Sequence, residues 1–288
     1  MPSYLVTGSE GQLGMCFHSI QSEFPQYQLL FASQSEVDIT QVKTLSNYYK
    51  KHSFEGIINC AAYTQVDKAE IDSETAREIN SQGVRTLIQF AETRNLRLIH
   101  FSTDFVFNGI KKEEYAEEDK PNPLSIYGQS KLEGDLYIEK ANCPSVSFRI
   151  SWLYSPFGKN FVKTIMKACQ SKTALKVVDD QFGKPTYGLD LARSVLSCLE
   201  HQDVFKYKTY HFAQGPQTSW FGFAQKIAEL IGSDCKVKPI LSSAYQTVAK
   251  RPPNSALNTQ RIENTLSLNI RPWESALEEC IKKIQENE

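Results

Sequence analysis

Tyr4-Leu5-Val6-Thr7-Gly8-Ser9-Glu10-Gly11-Gln12-Leu13-Gly14 is the stretch whose reading decides the fold. Four strand-forming residues run into Gly-x-x-Gly-x-x-Gly, and Leu13, Phe17 and Ile20 then recur at helical spacing. Gly8, Gly11 and Gly14 permit a tight turn and a close backbone approach. The helix that follows offers free N–H groups and a positive dipole end to a pyrophosphate. The spacing departs from Gly-x-Gly-x-x-Gly, and a glycine turn by itself can be only a turn. Its place between the first strand and the first helix is what points to nucleotide binding.

Short apolar runs at 29–32, 56–60, 96–101 and 145–150 read as further strands, alternating with helical patterns at 73–94 and from Ile126. That alternation predicts an α/β fold, a Rossmann-type doubly wound parallel sheet. The second strand ends in Ser33-Gln34, where NAD enzymes carry an acid that grips the ribose; the first acids are Glu36 and Asp38. Without a carboxylate at that place a 2′-phosphate meets no repulsion, which favours NADPH. No arginine stands there to clamp the phosphate, so NADH stays open. The small residues Ala61-Ala62, followed by Tyr63-Thr64, leave room for a flat ligand at the sheet edge, although a compact turn would use them too. Residues 66–70 read equally as a solvated loop, and the charged stretch 111–119 as a mobile surface flap.

Beyond residue 150 the alternation loosens into an aromatic loop at 151–158, helices at 160–170, 188–199, 219–231 and 273–284, and strands at 175–178, 207–213 and 237–241. The expected division is a dinucleotide-binding domain over 1–150, with 187–214 returning to it, and a smaller substrate-binding lobe from 151–186 and 215–288.

The chain's 288 residues are 41% hydrophobic, enough for a large core in one compound domain or two. Lys+Arg at 32 balance Asp+Glu at 33, which argues against a nucleic-acid face. Seven widely spaced cysteines without Cys-x-x-Cys suit free thiols in a reducing compartment. The first residues read as a strand rather than a signal peptide, and no apolar run approaches the roughly 18 residues of a membrane span. The expectation is a cytoplasmic protein with no membrane partner.

Chemistry enters at Tyr127-Gly128-Gln129-Ser130-Lys131. This is the only Tyr-x-x-x-Lys among 13 tyrosines, and on a helix the pair shares one face. A free phenol titrates at about 10, and a nearby ammonium draws that value toward neutrality. An exposed helix face with a solvated lysine is the plainer explanation. Four features nevertheless meet beyond the carboxyl ends of the strands: the glycine turn, residues 61–64, Ser102-Thr103-Asp104-Phe105, and the Tyr127 helix. A hydroxyl from Thr103, a phenol and an ammonium facing a nicotinamide make a carbonyl-reduction site.

These stretches, with Asn59-Cys60, 149–154, Asn160-Phe161, 180–186 and Arg251-Pro252-Pro253-Asn254-Ser255, resemble the extended short-chain dehydrogenase/reductases, and within them the dTDP-4-dehydrorhamnose reductase family, over nearly the whole chain. The resemblance implies reduction of the C4 ketone of dTDP-4-dehydro-L-rhamnose to dTDP-L-rhamnose by a monomer or homodimer. It implies Tyr127 as proton donor, with Thr103 and Lys131 completing the triad. Gly11, Gln12, Leu13, Asp38, Ile39, Ala61, Ala62, Tyr63, Thr64, Tyr127 and Lys131 would touch the cofactor. Thr103, Asp104, Trp152 and Arg251 would touch the dTDP-sugar. Trp152 could instead be a core residue joining the lobes, and Arg251 a surface ion pair. Some relatives bind magnesium through acids at a dimer contact; here Met15, Cys16 and Leu189 stand in those places, so no metal is expected. Related 4,6-dehydratases need an acid after the aspartate, where this chain has Phe105. A non-catalytic alternative is a regulatory subunit like the beta subunit of methionine adenosyltransferase.

Overall fold

A computed structural model describes residues 1–286. The strands β1 (Ser3–Thr7), β2 (Gln28–Ala32), β3 (Gly56–Asn59), β4 (Arg97–Thr103) and β5 (Ser145–Ile150) are joined at one edge by β7 (Thr209–Phe212). Their spatial order is β7-β5-β4-β3-β1-β2, and every pairing is parallel. The order reverses between β1 and β3, and such a switch point opens a crevice at the carboxyl ends of the strands.

Both faces of the sheet are covered, as a parallel sheet requires. Tyr4 and Val6 of β1 go to one buried cluster with Phe17, Ile58 and Phe148; Leu5 goes to the other with Ile57, Leu87 and Ile138. The first cluster continues without a break through Tyr154, Tyr187, Phe223 and Trp273, so the second half of the chain shares a core with the sheet. Its own framework is α6 (Phe161–Ser171), α8 (Trp220–Leu230) and α9 (Trp273–Glu286), with β6 (Ala174–Val178) paired in parallel to β8 (Lys236–Ile240). The remaining long helices are α1 (Gln12–Ile20), α2 (Val42–His52), α4 (Val84–Glu92), α5 (Ile126–Lys140) and α7 (Gly188–Cys198).

One expectation is refined and two are corrected. The helix expected at 73–94 forms without a break but is not uniform: α3 (Ser73–Arg77) passes through a wider π turn over Glu78–Gly83 into α4. Asn80 in that turn spends its side chain on other elements, and Gly83 lies so close to Ile39 that a Cβ would fall 2.7 Å from its Cδ1. The strand expected at 96–101 runs on to Thr103, because β5 pairs with it as far as Ile150. The stretch 111–119 is pinned rather than free. Asn254 Nδ2 donates to the carbonyls of Lys111, Lys112 and Glu113 at 2.8, 3.3 and 3.0 Å, Tyr115 bridges Leu257, and Glu114 pairs with buried Lys184. The helix α2 escaped the sequence reading because its polar, lysine-rich surface buries only Leu45.

Candidate active site

The glycine turn is built by contact. Gly8 has φ +61, and a Cβ on it would fall 2.6 Å from the Ala61 nitrogen; one on Gly14 would fall 2.4 Å from the Gly8 carbonyl oxygen. A side chain at either place would push β1, α1 and the 61–64 loop apart. Gly11 caps α1 without a side-chain bond, so the first N–H groups of the helix stay free for a ligand.

Two adjoining cavities share Gly11, Cys60 and Ala62. One, of about 310 Å³, is lined by Gly8, Gln34, Asp38, Ile39 and Ala61; the other, of about 500 Å³, takes in Gln12, Leu13, Thr64, Thr103, Asp104, Tyr127, Lys131, Trp152 and Arg251. Most residues expected at the site are thus gathered along one groove. Gly14 and Tyr63 line neither cavity. Gly14 works through its backbone packing, and Tyr63 is buried, its phenol 3.3 Å from Asp72. Three polar atoms on the larger cavity have no protein partner: Gln12 Oε1, Ser102 Oγ and Asp104 Oδ2. Such atoms are costly to bury unless a polar ligand satisfies them. An unencumbered helix N-terminus beside a two-chamber groove fits an extended dinucleotide.

Helix α5 is aimed by its caps. Ser125 accepts from the Gly128 N–H at 3.1 Å, and Glu70 accepts from the Ile126 N–H at 2.8 Å. Glu70 therefore has a structural task within a stretch whose charges could have been mere solvation. Gly128 lets the helix touch the end of β4, since a Cβ there would lie 2.3 Å from the Phe105 carbonyl oxygen. That contact sets Tyr127 on the same cavity as Thr103, whose hydroxyl donates to Asp104 Oδ1 at 3.0 Å.

The expected acidified phenol is not what the site contains. Burial, reinforced by the nearby Asp104 charge, pushes the Tyr127 pKa up to about 12 even though Thr103 pulls the other way. Lys131 is 2% exposed and donates to the Phe101 carbonyl at 2.6 Å. Burial draws its pKa down to about 8, opposed by the Asp135 carboxylate one turn along. Asp104, 2% exposed, is pushed up to about 6 by burial. The groups that change charge near neutrality are thus the lysine and the aspartate, while the phenol keeps its proton.

Trp152 has the unusual backbone value φ +48, and its indole stacks on Trp220 with centroids 3.6 Å apart. Gly183 makes room for that ring, because a Cβ would fall 2.6 Å from the indole. Strain of this kind tends to be kept where a side chain must be aimed. Arg251 lines the large cavity and a neighbouring apolar one of about 350 Å³. Its guanidinium holds Asp67 with two contacts, at 2.7 and 3.2 Å.

The sequence reading missed Asn80, Trp220 and His100. Asn80 exchanges hydrogen bonds with the Tyr63 backbone, both at 2.9 Å, and donates to Ser130 at 3.0 Å, tying the 61–64 loop to α5. An asparagine inside an apolar helical pattern was the available signal. Among the described residues no group of three or more His, Cys, Asp or Glu could hold a metal ion. Asp190, beside Leu189, is taken by Arg271 at 2.6 and 2.9 Å.

A parallel sheet with a glycine turn at its switch point, and a Tyr-x-x-x-Lys helix packed on the end of β4, define an extended short-chain dehydrogenase/reductase. Residues 3–286 match the model of the RmlD substrate binding domain, and the chain belongs to that family. It is 35% identical over 289 residues to the dTDP-4-dehydrorhamnose reductase of Aggregatibacter actinomycetemcomitans, covering 96% of this chain and 97% of that one. A crystal structure of a dTDP-4-dehydrorhamnose reductase from Clostridium acetobutylicum superposes with a TM-score of 0.92 at 36% identity, over 98% of this chain and 99% of that one. The dTDP-4-dehydrorhamnose reductase of Bacillus anthracis, solved in complex with NADP, gives 0.91 at 32% identity over 98% and 99%.

Proposed function

We propose that this chain reduces the C4 ketone of dTDP-4-dehydro-L-rhamnose to dTDP-L-rhamnose, with NADPH as the hydride donor and NADH as the alternative. The observation that carries the reading is the convergence of Thr103, Tyr127 and Lys131 on the same cavity that the glycine turn opens into. When bound, the nicotinamide supplies hydride to the ketone carbon. Tyr127, still protonated at neutral pH, gives its phenolic proton to the ketone oxygen. Thr103 orients that oxygen, and Lys131 supplies positive charge beside the phenolate that is left.

The sugar then sits by Thr103, Asp104 and Trp152. Its diphosphate meets Arg251, and the nucleoside enters the apolar cavity beyond, between Phe161, Trp220 and Tyr245. The diphosphate competes with Asp67 for the guanidinium, a like-for-like exchange of bidentate anions. Residues 1–150 with 187–214 serve the cofactor, and 151–186 with 215–288 serve the sugar nucleotide, in the cytoplasm. Cofactor consumption across dTDP-, UDP- and GDP-linked ketosugars tests the reading. The dTDP-linked 4-ketosugar is expected to turn over fastest, and bound NADPH with no consumption on any of them would overturn it.

A further inference from the structure

His100 is 1% exposed, lies in the middle of β4 and does not line the cavity, yet its Nε2 is 3.3 Å from Lys131 Nζ. Its Nδ1 is 3.0 Å from the Asn59 side-chain amide nitrogen. The orientation of that amide follows from its neighbours. Asn59 Oδ1 receives the backbone N–H of Ala61 at 3.2 Å and the Thr7 hydroxyl at 2.7 Å. A backbone N–H can only donate, so the oxygen faces Ala61 and the NH2 group faces the imidazole. An amide NH2 can also only donate, so His100 Nδ1 must be the accepting nitrogen. Burial and the neighbouring lysine both hold the ring neutral. A neutral ring that accepts at Nδ1 carries its one proton on Nε2, aimed at Lys131.

An ammonium has no lone pair with which to receive that N–H. A free amine has one, and can still donate to the Phe101 carbonyl. On α5, Asp135 favours the ammonium, but its carboxylate is shared with Arg149 at 2.9 Å and Ser147 at 2.7 Å from β5. Tyr127 on α5 and Asp104 after β4 border the same cavity as the lysine.

We propose that His100 is a positioning residue for Lys131: fixed by Asn59 in the tautomer protonated at Nε2, it presents a donor to the lysine nitrogen and so favours the amine over the ammonium. The proposal rests on the reading that Lys131 acts beside Tyr127. In the reduction the Tyr127 O–H bond breaks and its proton goes to the substrate oxygen. The replacement proton leaves the Lys131 ammonium, and the amine that results is the form the His100 N–H can bind. Solvent then returns one proton to the lysine. A lysine held firmly as ammonium would resist that cycle.

Two variants test this in opposite parts of the network. His100→Gln can turn a carbonyl oxygen toward the lysine. Asn59→Asp replaces the donor facing Nδ1 with an acceptor, which transfers the ring proton to Nδ1 and leaves Nε2 free to accept. Each variant is expected to raise the protonation midpoint of Lys131 by about one pH unit or more. Two readouts are used in the full-length protein: the side-chain nitrogen resonance of Lys131 against pH, and the alkaline limb of kcat/KM with NADPH and the dTDP-ketosugar. Upward movement of both is the expected result. Rates lowered equally at all pH values with an unmoved lysine midpoint would overturn the proposal and leave His100 as packing. The resonance titration needs no turnover, so it decides about His100 even if the ketosugar proves not to be the substrate.

Discussion

Replacing Lys131 with methionine should stabilise the fold while destroying the activity. The lysine's pKa falls from 10.5 to about 8 because its charge is buried. At about 1.4 kcal/mol per pH unit, that drop corresponds to about 3 kcal/mol of penalty for holding the ammonium in the folded state. The folded chain binds fewer protons than the unfolded chain between pH 8 and 10.5, so wild-type stability rises with pH through that window. The penalty is fully present below about pH 8 and gone above the unfolded value. Lys131→Met removes it at every pH but leaves the Phe101 carbonyl without its donor, which costs about 1–2 kcal/mol. At pH 7 the net gain should be about 1–2 kcal/mol, and it should fall by about 3 kcal/mol and change sign as the pH passes 10. Urea unfolding of both proteins across pH 7 to 10.5 measures the difference directly, since other groups titrate alike in each. A stability difference that stays constant across that range would refute the buried-ammonium argument.

Three other outcomes follow from the same geometry. Gly128→Ala drives a methyl into the Phe105 carbonyl oxygen, so it should cost about 1–3 kcal/mol in thermal unfolding and lower kcat by separating Tyr127 from Thr103. Arg251→Ala should raise the KM for the dTDP-sugar roughly 10- to 100-fold, as expected for a lost charged hydrogen bond, with the KM for NADPH unchanged in steady-state assays. Asp104 titrates near pH 6, so kcat/KM should fall below about pH 6 as its carboxylate takes up a proton and ceases to accept from the sugar; Asp104→Asn should abolish that acid limb.

The glycine turn, the strands of the sheet and the Tyr-x-x-x-Lys helix were legible because each has a local cause: backbone freedom, an apolar run, a repeat of one helical turn. What sequence left unread depends on contacts between distant residues. The π turn at Glu78–Gly83 exists because Asn80 bonds to Tyr63 and Ser130, 17 and 50 positions away. The stretch 111–119 looked mobile because its charges suit solvent, but Asn254 holds it from 141 to 143 positions away. Tyr127 and Lys131 line one cavity, as their spacing on a helix implies, but the phenol is pushed up rather than acidified. Spacing on a helix says that two side chains share a face. It does not say how deeply each is buried, and burial dominates both titrations here.

The most direct test of the account is single-turnover hydride transfer from bound NADPH to dTDP-4-dehydro-L-rhamnose by the wild-type chain and by Tyr127→Phe. The account predicts equal cofactor affinity, with dTDP-L-rhamnose formed in step with NADPH loss in the wild type and a rate lower by a factor of about 10² to 10⁴ in the variant. A variant that reduces the ketosugar at close to the wild-type rate would contradict it, because the proton would then come from a group other than Tyr127.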